Sequence, residues 1–237
     1  MSVIIPVGPG ETCWRRLVAQ IGCWSFAPEV ILVDTEDAVE HADDFHDAPF
    51  RRIVSAAGRA VQMNAGAREA TQPVLWFLHA DSQVDDRAAH AMRAAAERQP
   101  AAIHFLKLAF DDDGPWGVTL NGWGVWFRSR ILGLPFGDQG FCLSKRLFLQ
   151  LGEFDTAARF GEDHLLIWRA HRHKVAVRQV AGTIVTSARK YADRGWWETT
   201  RQHLIGTVLQ AFPEWMKLWR GRFTFQSTTF KCDADQP

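Results

Sequence analysis

The sequence predicts an α/β fold in which a mainly parallel central sheet is flanked by helices. Two observations support this prediction. Short apolar, β-branched segments alternate with helical segments over residues 1–110, and polar or acidic residues follow several of the apolar segments. Strands that alternate with helices usually pair in parallel, and the helices cover both faces of the sheet. Since ligands of such sheets bind at the carboxyl ends of the strands, we expect the functional site at that edge.

Each element of the first half follows from the period of its apolar residues. Runs of β-branched and apolar residues predict strands, whereas apolar residues that recur every three or four positions, or a high alanine content, predict helices. The predicted elements are strand 3–7, helix 11–24, strand 29–34, strand 51–55, helix 58–70, strand 73–78, helix 85–98 and strand 101–110. The polar, acidic stretch 35–49 is predicted to be a loop or a poor helix.

The second half has a less regular pattern. Residues 111–140 are rich in Gly, Trp and Arg, which predicts a long, partly helical excursion. The elements predicted after it are helix 144–151 with Ser144 as its N-cap, helix 164–171, two short strands within 175–185, and a long amphipathic stretch 194–219 broken at Pro213.

The charge balance argues against bulk electrostatic binding. The chain has 237 residues with 27 Lys+Arg and 27 Asp+Glu, so its net charge is zero and its pI is near 7.1. We therefore expect no nucleic-acid partner and no general attraction to an anionic membrane. The content of 11 Trp against one Tyr is unusual. It fits a ring-stacking or interfacial site, and it fits a Trp-rich core equally well.

The cysteines indicate a reducing compartment. Cys13, Cys23, Cys142 and Cys232 form no C-x-x-C pair and have no zinc-ligand spacing. A short strand, rather than a leader pattern, opens the chain at Val3–Val7. These features predict a cytoplasmic protein with reduced thiols.

The sharpest local feature is a His and an Asp directly after an apolar strand. Trp76–Leu78 leads into His79 and Asp81, which are two residues apart and therefore share one side of an extended backbone. A carboxylate at such a strand end can bind Mg²⁺ or Mn²⁺ between two phosphates. It can equally cap the next helix. Spacing alone leaves both interpretations open.

Two adjacent carboxylates form the second feature. Glu162 and Asp163 stand at the beginning of a predicted helix. A helix N-terminus favours negative charge, so both residues fit a capping role. Alternatively, one of them is a general base that takes a proton from an attacking hydroxyl group.

Three further segments combine small residues with polar side chains. They are Gly58–Gly66, the loop Pro135–Gly140, and Thr186–Lys190 after a predicted strand. The first permits the close approach of a ligand or of a neighbouring helix. The loop is typical of an ordinary turn, and the third segment either contacts a phosphate through Arg189 or leaves that arginine solvated.

Taken together, seven segments resemble family 2 glycosyltransferases, in particular a bacterial subgroup of short, single-domain members. The segments are Ser2–Val7, Val33–Asp34, Gly58–Ala67, Trp76–Ser82, Gly133–Gly140, Glu162–Asp163 and Thr186–Arg189. No single motif is decisive, but the collinear order of all seven argues against chance. The resemblance covers about residues 1–220.

The resemblance implies a nucleotide-diphospho-sugar transferase fold of the A type. It implies a single domain, 1–220, with a nucleotide-binding half, 1–110, an acceptor and catalytic half, 111–220, and a polar tail, 221–237. The residues that it assigns to the donor, from the nucleoside pocket to the diphosphate and sugar, are Pro6, Val7, Asp34, Gly58, Arg59, Gln62, Asp138, Gln139 and Arg189.

The resemblance also implies the chemistry. A hexosyl group would pass from a nucleotide-diphosphate donor to an acceptor hydroxyl with inversion. Asp163, beside Glu162, would be the general base. Asp81, with His79, would bind a divalent cation, Mn²⁺ or Mg²⁺, that stabilises the leaving diphosphate.

Two departures from the family pattern leave other functions open. Gly8–Glu11 replaces the usual Asn-Glu step, and Thr35–Ala38 replaces the usual glycine-rich loop. A catalytically inactive nucleotide- or sugar-binding module of the same fold is therefore the alternative. A nucleotidyltransferase, which would release pyrophosphate, is a third hypothesis.

The sequence does not define the acceptor. Trp196–Trp219 combines tryptophans with basic residues and fits an interfacial surface near a lipid-linked acceptor. In that case the protein would be peripheral at the inner membrane face. The same segment fits a helix packed on the sheet or on a second subunit of a homodimer.

Overall fold

The computed structural model describes residues 1–36, 50–111, 124–125, 128–131, 133–158, 161–187 and 216. The strands in these ranges are β1 (Ser2–Pro6), β2 (Glu29–Thr35), β3 (Arg51–Ser55), β4 (Val74–Phe77), β5 (Gln83–Val84), β6 (Ala102–Phe110), β7 (Cys142–Ser144) and β8 (Ala176–Thr186). The helices are α1 (Trp14–Gly22), α2 (Arg59–Glu69), α3 (Asp86–Arg98), α4 (Lys145–Gln150) and α5 (Glu162–Arg172), and a 3₁₀ turn covers Gly137–Gln139.

The strands form one mixed sheet in the order β3-β2-β1-β4-β7-β6-β8-β5. The pairings β1–β2, β1–β4, β2–β3 and β6–β8 are parallel. The pairings of β7 with β4 and β6, and of β5 with β8, are antiparallel. The predicted α/β class is confirmed, and the parallel pairing predicted for the first half holds for β1 to β4.

Helices cover both faces of this sheet because successive strand residues point to opposite sides. On β1, Val3 and Ile5 pack in one apolar cluster with α1 and α3. Ile4 packs in a second cluster with α2, α4 and α5. All five residues of β1 are buried, which explains why the strand is apolar from Val3 to Pro6.

The N-cap predicted at Ser144 is confirmed, whereas the helix after β5 is capped by Asp85 and not by Asp81. The Ser144 hydroxyl accepts a hydrogen bond from the Leu147 N–H at the start of α4. Asp85 accepts one from the Ala88 N–H at the start of α3. None of the described helices has the length and apolar content needed to cross a membrane.

The structure corrects two parts of the predicted element order. Residues 175–185 were expected to form two strands but belong to the single strand β8, which is irregular where Phe105 pairs with Gln179 and Lys107 with Thr183. Gly182 lies in this irregularity with φ of +131°, and the bulge interrupts the apolar alternation. The short strands β5 and β7 were not predicted. Most of 35–49 and 194–219, half of 111–140 and all of 221–237 lie outside the described residues.

Candidate active site

Gln62 connects helix α2 to the carboxyl ends of β1 and β2. Its Nε2 donates hydrogen bonds to the backbone oxygen of Val7 at 2.8 Å and to that of Val33 at 2.7 Å. The side chain is 5% exposed. Gln62 therefore fixes the relative positions of the two strand ends, and the donor capacity of its amide is used by the main chain.

Asp34, near the end of β2, forms a buried ion pair with Arg52. Its Oδ2 lies 2.6 Å from Arg52 Nε, and the carboxylate is almost completely buried. Pro6 and Val7 at the end of β1 are also buried. Arg52 was not predicted as a site residue, because nothing in its local sequence marks it as a partner of Asp34.

Arg59 links the first turns of two helices that are far apart in sequence. Its Nε lies 2.5 Å from Oε1 of Glu162, 103 residues further along the chain. Gly58, the N-cap of α2, has φ of +129°, a value that favours glycine, and so lets the chain turn directly into Arg59. Glu162 is 5% exposed, whereas the arginine side chain is 43% exposed. The pair therefore stands at the boundary between the core and solvent.

Asp163 is held by two backbone N–H groups. Its Oδ2 accepts a hydrogen bond from Gly137 at 2.5 Å, and its Oδ1 accepts one from His164 at 2.8 Å. A Cβ atom added at Gly137 would lie 2.9 Å from Oδ2, so the loop can approach this closely only because residue 137 is glycine. The side chain of Asp163 is consequently fixed at the first turn of α5.

The surroundings of Asp163 favour its ionised form. Burial raises the pKa of its carboxyl group, but the charge of Arg59, the hydrogen bonds from Gly137 and His164, and the charge of His79 together lower it below the ordinary value. Conversely, burial lowers the pKa of Arg59, but the nearby carboxylates of Asp163, Glu162 and Asp138 raise it overall. The structure thus brings five predicted site residues into one electrostatic cluster.

The turn after β4 carries His79 and Asp81. The Ser82 N–H donates to the His79 carbonyl at 3.0 Å, which closes a tight turn around both residues. Asp81 Oδ2 accepts a hydrogen bond from Thr186 Oγ at 3.0 Å. Since His79 lies close enough to Asp163 to affect its pKa, this turn is adjacent to the start of α5.

The donor set of this turn fits a hard divalent cation. Asp81 is partly exposed, and its second oxygen makes no hydrogen bond to any residue within the described ranges. A carboxylate oriented by a hydroxyl group and presenting a second oxygen suits Mg²⁺ or Mn²⁺. No group of three or more His, Cys, Asp or Glu with metal-binding geometry occurs among the described residues, so substrate oxygens and water would complete such a site.

Gln139 is buried and holds its loop in place, whereas Asp138 is part of the charged cluster around Arg59. Gln139 is 2% exposed, and its amide bridges Ser129 Oγ at 2.6 Å and the Leu106 carbonyl at 3.1 Å. This anchoring holds the 3₁₀ turn whose Gly137 contacts Asp163. Asp138 is partly exposed and interacts electrostatically with Arg59.

An open cavity borders the charged cluster. Its volume is about 380 Å³, and its walls include Gly58, Arg59, Thr156 and Glu162. This size is within the range of small-molecule sites. Arg189 and the tryptophans at 196–219 lie outside the described residues, so their predicted roles remain predictions.

Comparisons with known proteins find a matching family and structures with a similar fold. The model of glycosyl transferase family 2 matches residues 11–150. No curated protein matches the chain. Among solved structures it is similar to GalNAc-T7 with UDP, GalNAc and Mn²⁺, with a TM-score of 0.60 and 14% identity over 78% of this chain and 43% of that chain. It is also similar to S. aureus TarS, with a TM-score of 0.54 and 15% identity over 78% of this chain and 35% of that one. The chain spans less than half the length of these two structures, and the likeness shows a shared fold.

Proposed function

Because the chain belongs to glycosyl transferase family 2, we propose that it is a metal-assisted, inverting glycosyltransferase with Asp163 as its general base. The predicted family and the A-type fold are confirmed by the family match and the structural neighbours. The observation that carries the proposal is the position of Asp163. Its carboxylate is oriented by two backbone N–H groups beside Arg59 and next to the turn with His79 and Asp81.

The proposed reaction is a single displacement. The acceptor hydroxyl attacks the anomeric carbon of the donor sugar and loses its proton to Asp163 while the bond to the diphosphate breaks. One new carbon–oxygen bond replaces another on the opposite face, so the configuration inverts and no covalent enzyme intermediate forms. The products are the glycosylated acceptor and a nucleoside diphosphate.

The lowered pKa of Asp163 has two opposite effects on its proposed role as the general base. A base must be ionised before it can accept a proton, and the low pKa keeps the carboxylate ionised at neutral pH. The same low pKa means that the carboxylate of Asp163 binds a proton less tightly. Since Asp163 is only 7% exposed, its carboxylate is already largely desolvated before donor and acceptor bind.

Asp81 and Arg59 would act on the donor side. When bound, Mn²⁺ or Mg²⁺ supplies charge neutralisation for the leaving diphosphate. Asp81 would hold the cation through the oxygen that Thr186 does not engage. GalNAc-T7 was crystallised with UDP and Mn²⁺, which supports this donor and cation class for the fold. The lipid-linked acceptor, the membrane association and the homodimer remain predictions from the sequence.

Replacement of Asp163 by Asn tests the proposal. The amide cannot take the proton, so we expect the rate of sugar transfer from UDP-sugar or GDP-sugar donors to fall about 10²–10⁴-fold. The donor dissociation constant, measured by calorimetry with Mn²⁺, should change by only a few-fold. Asp155→Asn, at an exposed carboxylate, is the matched control and should transfer at the wild-type rate.

Three results would contradict the proposal. Transfer by folded Asp163→Asn at the wild-type rate would remove this residue from the mechanism. Tight nucleotide binding by the wild type without turnover on any acceptor would favour the inactive binding module instead. Retention of anomeric configuration in the product, determined by NMR, would exclude the single displacement.

A further inference from the structure

The end of strand β8 holds the turn that carries Asp81. Strand β5 (Gln83–Val84) follows that turn and pairs antiparallel with β8 at Val185 and Ile184. At the next residue of β8, the Thr186 hydroxyl donates a hydrogen bond to Asp81 Oδ2 at 3.0 Å. Main-chain pairing and one side chain therefore hold the turn against the same strand end, although the two bonded residues are 105 positions apart in sequence.

The bulge at Gly182 sets the position of Thr186 along the sheet. Across this bulge β8 contains more residues than β6, so the register partner of Thr186 is Phe110, the last residue of β6. The Asp111 N–H donates to the Thr186 carbonyl at 2.9 Å, and Thr186 is 5% exposed. Bulges often redirect a side chain next to a functional site. Here the bulge determines which residue of β8 stands beside Asp81.

This contact fixes the orientation of the Asp81 carboxylate. An ionised carboxylate only accepts hydrogen bonds, so the Thr186 hydroxyl is the donor. Threonine is branched at Cβ and its χ1 angle is restricted, so the O–H has few alternative directions. Oδ2 of Asp81 is thereby engaged by the protein. Oδ1 of the same partly exposed side chain makes no hydrogen bond to any residue in the described ranges, so this oxygen is the one presented to a ligand.

We propose that Thr186 is a positioning residue that orients Asp81 so that Oδ1 binds the divalent cation. This inference rests on the proposed function, in which Asp81 is a ligand of Mn²⁺ or Mg²⁺. Binding through one oxygen leaves more coordination positions for diphosphate oxygens and water than binding through both. Removing a group that hydrogen-bonds to a metal ligand commonly lowers metal affinity about 10–100-fold. The single hydroxyl of Thr186 should therefore have a measurable effect on cation binding.

Thr186→Val tests the inference because valine keeps the branched shape and lacks the hydroxyl group. Calorimetric titration of the full chain with UDP and with GDP gives the Mn²⁺ factor, the ratio of nucleotide affinity with Mn²⁺ to that with EDTA. For the nucleotide that the wild type binds, Thr186→Val should lower this factor about tenfold and leave the affinity in EDTA within about twofold. Thr186→Ser retains an O–H and should restore most of the Mn²⁺ factor.

Two further variants separate positioning from a general effect on the fold. Thr183→Val makes the same substitution at an exposed position of β8 and should titrate like the wild type. Thr186→Val combined with Asp81→Asn should lower the Mn²⁺ factor no further than Asp81→Asn alone, because Thr186 acts through Asp81. Multiplied losses in the double variant would show that the two residues act independently, which contradicts the inference.

The inference is overturned, and the proposed function is not, if the wild type has a Mn²⁺ factor that folded Thr186→Val leaves unchanged. Equal losses of affinity in Mn²⁺ and in EDTA would also overturn it, because they indicate a purely structural role. A wild type that binds neither nucleotide more tightly with Mn²⁺ would overturn both this inference and the metal-assisted part of the proposed function. Urea unfolding checks that each variant is folded, and Thr186→Ala is a second variant without the hydroxyl group.

Discussion

Arg59 is the residue on which the electrostatics around Asp163 depend most. It is the cation paired with Glu162, it lowers the pKa of Asp163, and Asp138 also acts on it. Because its side chain is partly exposed, solvent screens these interactions, and the ion pair contributes less to stability than a fully buried pair would. Its clearest effect in the structure is therefore on the pKa of Asp163, beside the role on the donor side that we propose for it.

Arg59→Gln should alter the pH dependence of transfer. A folded-state pKa below the unfolded value means that Asp163 contributes stability above its unfolded pKa and loses that contribution as pH falls through its folded pKa. Without the guanidinium, the pKa of Asp163 should rise. The acidic limb of kcat/KM should then move to higher pH, and acid unfolding should begin at higher pH.

Arg59→Lys retains the charge and should restore most of the wild-type pH profile. Arg68→Gln, at a more exposed pair with Glu153, is the matched control and should leave the profile unchanged. An acidic limb at the same pH in Arg59→Gln and the wild type would show that Arg59 has no influence on the base.

Helix α2 depends on one small residue for its position on the sheet. A Cβ at Gly66 would lie 2.5 Å from Cγ2 of Ile4 on β1 and 3.0 Å from Cγ2 of Val33 on β2. The absence of a side chain at this position lets α2 pack closely enough for Gln62 to reach the ends of both strands. The geometry of the predicted nucleoside pocket thus depends on a packing contact away from the charged cluster.

Gly66→Ala should destabilise the protein. Replacing a helical glycine by alanine ordinarily stabilises by up to about 1 kcal/mol, but forcing a methyl group into this contact costs about 1–3 kcal/mol. We expect a net loss of about 1–2 kcal/mol in the free energy of unfolding, measured by urea denaturation. Gly22→Ala in α1, where no atom lies within 4 Å of the added Cβ, is the control and should be neutral or stabilising. A stabilised Gly66→Ala would contradict the close packing.

Elements with a strong local signal were predictable, and those defined by distant partners were not. The continuous apolar run predicts β2, and the high alanine content predicts α3. Strand β7 has only three residues, and it is a strand because β4 and β6 flank it. Within the site, Glu162 and Asp163 stood out as adjacent carboxylates. Their contacts with Arg59 and Gly137 come from remote parts of the chain, and no local pattern encodes them.

At the scale of the whole molecule, strands from both predicted halves of the chain share one sheet. Strand β7, from the second half, lies between β4 and β6, which belong to the first. The Thr186 hydroxyl at the end of β8 bonds to Asp81 after β4, 105 residues away. A ligand that binds at this edge therefore contacts both halves and should stabilise the entire described sheet.

UDP with Mn²⁺ should raise the melting temperature of the whole chain. At a ligand concentration of about 100 times Kd, binding adds about 2.7 kcal/mol. For a protein of this size that corresponds to about 5–10 °C. In Asp81→Asn, which can still accept from Thr186 but lacks the charge, the Mn²⁺-dependent part of the shift should disappear. Differential scanning fluorimetry with and without EDTA measures this Mn²⁺-dependent shift in melting temperature, and Asp155→Asn is the control. An equal Mn²⁺-dependent shift in Asp81→Asn would exclude Asp81 as the ligand.

The contact between Gly137 and Asp163 has a consequence for altering specificity. Main-chain atoms make the hydrogen bond, so the neighbouring side chain at Asp138 can be exchanged without removing the group that aims the carboxylate. Libraries that seek new acceptors can therefore vary position 138 while residue 137 stays glycine, with the loss of the Asp138 charge that acts on Arg59 as the expected side effect.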